Sequence, residues 1–71
     1  MLIMQAVGSN GEQLAIQAAD AIDVPVGWDE ELQSATFDSD AHGSEEELQA
    51  AVFEALAGID PDWKSHLQVA D

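Results

Sequence analysis

The 71-residue chain contains no cysteine, no arginine and no tyrosine, and it has a single lysine. Without cysteine it forms no disulfide and offers no thiolate to a metal or a substrate. With one basic side chain it cannot neutralise a phosphate backbone, so we expect no direct binding to nucleic acid. The same deficit argues against docking on an anionic membrane surface. No apolar run approaches the ~20 residues of a membrane span. The first residues also lack the basic segment of a secretory signal, so we expect a cytoplasmic location.

Acidic residues are abundant instead. Asp and Glu number 15, the formal net charge is −14, and 46% of the residues are hydrophobic. This apolar content is normal for a folded domain and too high for a disordered acidic tail. We therefore predict one small domain over residues 1–71. Such a domain buries only about 60% of its unfolded surface, and its charges repel one another. A homodimer or a basic partner would relieve that repulsion.

Two segments have the apolar spacing of a helix. They predict helices from about Gly11 to Ile22 and from about Ser44 to Ala57, with Gly58 in the position that follows a helix. Each start also has the spacing of a capping box, in Ser9 with Glu12 and in Ser44 with Glu47.

Short apolar runs indicate strands near Leu2–Val7, Leu32–Phe37 and His66–Ala70. The two tryptophans, Trp28 and Trp63, lie roughly 35 residues apart, and similar residues surround both of them. This match predicts two similar units, roughly residues 1–35 and 36–71.

These elements predict an α+β or small α/β fold in the order β-α-β-α-β, with two helices packed on a three-stranded sheet. Crossover connections would make the strands parallel. The alternative is an all-helical bundle, in which the segments that follow the two tryptophans are also helical. The predicted core comprises Ile3, Val7, Leu14, Ile22, Leu48, Val52, Leu56, Ile59 and one or both tryptophans.

The turn from Asp38 to Gly43 has the opening spacing of an EF-hand calcium loop, with acids at its first and third positions. The match then fails, because Gln49 occupies the place of the bidentate glutamate. His42 lacks the helical partner of a zinc pair. We therefore predict no metal and no cofactor, and a degenerate calcium-binding module remains an alternative.

No serine has the context of a nucleophile, and a domain this small has little room for a catalytic cleft. We expect a protein that is not an enzyme. The favoured function is binding to a basic protein surface, such as that of a nucleic-acid-binding protein, by mimicry of nucleic-acid charge. The predicted contact residues are Asp38, Asp40, Glu45, Glu46 and Glu47, with Asp29, Glu30 and Glu31 as a second cluster.

In size and charge alone, the chain resembles the small acidic inhibitors of phages and mobile elements, which include anti-CRISPR proteins and other DNA mimics. That resemblance implies an inhibitor, which would act in the host cytoplasm if a phage encodes it. The alternative is a small interaction or regulatory domain whose acidity is an adaptation to high salt. Unfolding at low and at molar salt would separate the two, because self-repulsion is screened by salt.

Overall fold

The computed structural model describes residues 1–38 and 43–70. In chain order the elements are β1 (Leu2–Ala6), α1 (Gly11–Ala21), β2 (Val26–Asp29), β3 (Ser34–Phe37), α2 (Glu45–Ile59) and β4 (Leu67–Val69). A single turn of 3-10 helix at Trp63–Ser65 precedes β4. The two helices pack on a four-stranded sheet, so the predicted single α+β domain is confirmed. The all-helical alternative is wrong.

The strands lie in the order β2-β3-β1-β4, and every neighbouring pair is antiparallel. This is the ferredoxin-like, or split β-α-β, topology. Two details of the prediction are wrong: the sheet has four strands rather than three, and the strands are not parallel to their neighbours. The reason is that β3 lies between β1 and β2, so the strands that a helix connects never pair with each other.

Strand alternation decides which residues of β1 enter the core. Leu2 and Met4 face the helices and are buried, whereas Ile3 is 37% exposed on the opposite face. Val7, directly after β1, is 56% exposed. The prediction that Ile3 and Val7 belong to the core is therefore wrong. Because Leu2, Ile3 and Met4 are all apolar, the sequence does not show which of them face the core. The pairing of Met4 with Ala35 and Val69 places Met4 on the core side of the sheet.

The core lies between the sheet and the two helices. The predicted core residues Leu14, Leu48, Val52 and Leu56 are buried, and Ile22 is half-buried against them. Ile59, at the end of α2, is 38% exposed and does not belong to the core. Buried residues that the prediction missed are Leu2, Met4, Ala15, Ala18, Ala19, Val24, Ala35, Phe37 and Leu67.

The tryptophans occupy different elements. Trp63 is buried in the 3-10 turn, and its ring lies 4.8 Å from that of Phe53 on α2. Trp28 is half-buried on β2. The chain still divides into β1-α1-β2 and β3-α2-β4, although the predicted boundary after residue 35 falls inside β3. A repeat based on matching residues stays a prediction.

The helix starts also differ. Ser44 caps α2, and its Oγ accepts the Glu47 N–H at 3.2 Å, as the second capping box predicts. The first capping box is wrong, because the residue before α1 is Asn10 rather than Ser9, and the Asn10 side chain forms no cap hydrogen bond. Gly58 lies within α2, which continues to Ile59 instead of ending before the glycine. In the part of the chain that the structure describes, no helix has the length and apolarity to cross a membrane.

Candidate functional site

The predicted contact residues form two acidic clusters. The hairpin cluster comprises Asp29, Glu30 and Glu31, at and after the end of β2. The helix-end cluster comprises Asp38, after β3, and Glu45, Glu46 and Glu47 in the first turn of α2. All seven residues are exposed, and the eighth predicted residue, Asp40, lies outside the described residues.

The two clusters lie at opposite ends of the sheet. Asp29 pairs with Ser34 at the start of β3, whereas Asp38 follows Phe37 at its end. A four-residue strand separates the two levels by about 13 Å at roughly 3.4 Å per residue. The amino group of Met1, which precedes the partner of Phe37, lies 3.5 Å from Glu45 Oε1, so α2 starts at the Asp38 end. The two clusters are therefore separate patches of negative charge rather than one acidic face.

The hairpin cluster contains one structural carboxylate. Asp29 Oδ1 accepts the N–H of Glu31 at 2.9 Å and the N–H of Leu32 at 3.3 Å. These bonds close the turn between β2 and β3, in which Gln33 has a positive φ of 52°. Asp29 therefore has a conformational role in the turn. Glu30 and Glu31 meet no ionic or hydrogen-bonding side-chain partner within residues 1–38 and 43–70.

The helix-end cluster likewise contains carboxylates with structural contacts and one that is available to a partner. Glu47 Oε2 accepts the Gly43 N–H at 3.0 Å, which completes the cap of α2. Glu45 contacts the amino terminus through an ion pair in which both partners are well exposed, and such a pair stabilises little. Among the described residues, the Glu46 carboxylate has no partner. Glu46 is therefore the most available of the three glutamates in this cluster.

The few cationic groups are far from sufficient to neutralise these acids. Lys64 Nζ lies 5.8 Å above the ring of Trp63. His66 Nε2 lies 3.7 Å from Asp60 Oδ2, in a pair that sequence spacing did not predict. Within the described part of the chain, Glu45 is paired with the cationic amino terminus, and Asp60 lies beside an imidazole that carries charge only when it is protonated. Most of the negative charge is therefore left to solvent, counterions or a partner.

The calcium hypothesis concerns a segment that is largely outside the described residues, including His42. Its first residue, Asp38, follows strand β3, whereas an EF-hand loop follows a helix. Gly43, at the other end, binds the carboxylate of Glu47 through its N–H. Across residues 1–38 and 43–70, no three potential ligand side chains are grouped to hold a metal ion.

Two surfaces with few charges are not predicted by the sequence. On the sheet face away from the helices, Asp29 is the only carboxylate among the described strand residues, while Ile3, Gln5, Ser34, Thr36 and Gln68 are uncharged. Leu32, beside this face, is 65% exposed. A second surface, an apolar groove of about 290 Å³, runs between α1 and β2. The sheet face is not visible in sequence, because it combines strands that are distant along the chain. The groove lies within residues 16–26, but it depends on how α1 packs beside β2.

Comparison of the chain with protein-family models, with curated proteins and with solved structures finds no match. The class of protein is therefore defined by fold and charge: an acidic α+β domain of ferredoxin-like topology with two exposed carboxylate clusters.

Proposed function

We propose that this protein is a non-enzymatic binding module that docks through its carboxylates on the basic surface of another protein. The favoured partner is a nucleic-acid-binding protein, which the module would inhibit by occupying its phosphate-binding surface. One observation carries this proposal. The structure describes all of the 15 acidic residues except Asp40 and Asp71. Every acidic residue that it describes is exposed, except Asp60.

Few of the carboxylates in the described residues have an internal ionic partner, which makes the others useful to a partner protein. A carboxylate that already contacts a lysine offers little to an incoming cation, whereas Glu30, Glu31 and Glu46 remain available. Their field extends beyond one face, and it accelerates the approach of a positively charged surface. The same field repels nucleic acid, which restricts the partner to proteins.

Capture and competition test this function. The immobilised full chain is incubated with a nuclease-treated lysate of the source cells, and the bound proteins are challenged with duplex DNA. We expect it to retain a basic nucleic-acid-binding protein that duplex DNA displaces and that rising salt releases. Retained proteins that are insensitive to both DNA and salt would contradict charge mimicry.

Glutamine variants identify the cluster that binds. Glu30→Gln with Glu31→Gln removes the two available glutamates of the hairpin cluster, and Glu46→Gln removes the available glutamate of the helix-end cluster. Glu54→Gln is the matched control, because Glu54 is exposed on α2 outside both clusters. We expect one of the cluster variants to weaken retention at least tenfold while the control retains the partner. Asp29 and Glu47 are left unchanged because their carboxylates hold the backbone.

A second candidate is a small interaction domain of a salt-adapted cell. The observation that favours it is the spread of the acids, which occupy both ends of the sheet and also the helices, at Glu12, Asp20 and Glu54. Mimicry requires only one charged face. Urea unfolding of the isolated chain at low salt and in molar KCl separates the candidates: a salt-adapted domain loses most of its folded population at low salt, whereas a charge mimic stays folded there.

A further inference from the structure

Among the residues that the structure describes, strand β2 lies at an edge of the sheet and pairs with β3 alone. The Asp38 N–H donates to the Pro25 carbonyl at 3.2 Å. This bond shows which residues of β2 form hydrogen bonds with β3. In an antiparallel pair every second residue bonds to the neighbouring strand. Gly27 and Asp29 therefore bond to β3, whereas Val26 and Trp28 direct their N–H and C=O groups outward. The free edge thus offers two donors and two acceptors in the spacing of a β ladder.

An apolar groove lies beside this edge. It has a volume of about 290 Å³ between α1 and β2, and Ile16, at its side, is 48% exposed. The groove is lined by Ile16, Gln17, Ala19, Asp20, Val24 and Val26. A strand edge next to an apolar groove is the combination that binds extended peptides by strand addition, with backbone bonds on one side and alternate side chains in the groove.

Carboxylates flank the edge at both ends. Asp20 lines the groove and Asp23 precedes β2 by three residues, while Glu30 and Glu31 follow it. The two groups are separated by a strand of about 13 Å. A segment that pairs with β2 therefore passes between acids at both of its ends and contacts apolar side chains in its middle.

We propose that the β2 edge binds an extended segment of a partner protein as a fifth strand. The segment has aliphatic side chains at alternate positions and lysine or arginine at both ends. This inference rests on the proposed binding of a basic partner and specifies how that partner docks. A second copy of this chain fits poorly, because antiparallel pairing of two β2 edges would bring Glu30 and Glu31 of one copy towards Asp23 of the other.

The opposite edge of the sheet is less suitable. Strand β4 has only three residues, and the surface of the groove beside it is mainly polar, whereas that of the groove beside β2 is mainly apolar. It therefore serves as the internal control: its outward N–H groups, at Leu67 and Val69, should not respond to a ligand of β2.

The probe is a short synthetic peptide with valine at alternate central positions and a pair of arginines at each end. Binding to the full chain is followed by NMR and by hydrogen exchange of the backbone amides. We expect saturable binding that slows exchange of the Val26 and Trp28 amides at least tenfold and leaves the Leu67 and Val69 amides unchanged. A peptide N-methylated along one edge should lose this protection, because it cannot form the ladder.

Ile16→Lys tests the groove, since it places a cation where the peptide's aliphatic and arginine side chains would lie. Ile59→Lys is the matched control on α2, because Ile59 is also exposed but lies outside the groove. We expect at least a tenfold loss of peptide affinity for Ile16→Lys and no change for Ile59→Lys.

The outcomes separate this inference from the proposed function. Salt-sensitive binding of the peptide that shifts the Glu30 and Glu31 amides but leaves Val26 and Trp28 unprotected would overturn strand addition and leave the basic-partner proposal intact. Protection of Val26 and Trp28 without any peptide, at raised protein concentration, would overturn it in favour of a homodimer. Protection by the peptide that does not depend on salt would support strand addition and contradict the role of charge.

Discussion

The two helices cover the same face of one sheet, yet they bury different kinds of side chain. Helix α1 buries Leu14 and the small residues Gly11, Ala15, Ala18 and Ala19, whereas α2 buries Leu48, Val52 and Leu56. At its start, α1 lies so close to β1 that a Cβ on Gly11 would be 2.6 Å from the Ala6 Cβ. Close approach to the sheet therefore stabilises the packing of α1, whereas the packing of α2 depends on the volume of its buried side chains.

The largest effect is expected for loss of volume in α2. Leu56 is fully buried, so Leu56→Ala should lower the free energy of unfolding by about 3 kcal/mol through lost burial and the cavity left behind. Urea unfolding at fixed ionic strength measures it. A loss below about 1 kcal/mol would mean that the surrounding residues collapse into the space and that volume does not hold α2.

Gain of volume in α1 is the complementary change. Ala18 is fully buried, and Ala18→Leu should cost about 2 kcal/mol because the helix cannot move away without losing its contacts. The same unfolding measurement applies, with Ala57→Leu on the exposed side of α2 as the control. Equal stability of Ala18→Leu and the control would show spare space under α1 and break the comparison.

Alanine substitutions at one glycine in each helix test the difference between α1 and α2 more closely. A Cβ on Gly11 would also lie 2.9 Å from the His66 carbonyl oxygen, whereas one on Gly58 in α2 meets nothing within 4 Å. We expect Gly11→Ala to destabilise the fold by about 2 kcal/mol and Gly58→Ala to stabilise it by about 0.5 kcal/mol, through its higher helix propensity. Effects of the same sign in thermal unfolding would contradict this interpretation.

The smallest effect concerns the helix starts. Ser44→Ala removes the side chain that accepts the Glu47 N–H and should cost about 1 kcal/mol. Ser9→Ala should change stability by less than about 0.5 kcal/mol, since Ser9 does not occupy the cap position of α1. Equal losses in urea unfolding would mean that Ser9 stabilises the turn before α1 in some other way.

Part of the candidate site could be predicted from the sequence. The acidic segments are visible in it, and their residues are exposed as expected of carboxylates. Their separation at opposite ends of the sheet was not predictable, because it depends on the direction of β3 between them. The structural duties of Asp29 and Glu47 also depend on which backbone N–H groups the folded turns bring near.

Local patterns in the sequence determined the two helices, the cap at Ser44, the terminal strands and the net charge. Helical spacing and capping act within a few residues, so both can be predicted without knowledge of the rest of the chain. The tertiary structure alone decided that Val26–Asp29 forms an edge strand, that β3 separates β1 from β2, and that Met4 rather than Ile3 enters the core. The physical reason is that a strand obtains its hydrogen bonds, and the phase of its alternation, from partners distant in sequence.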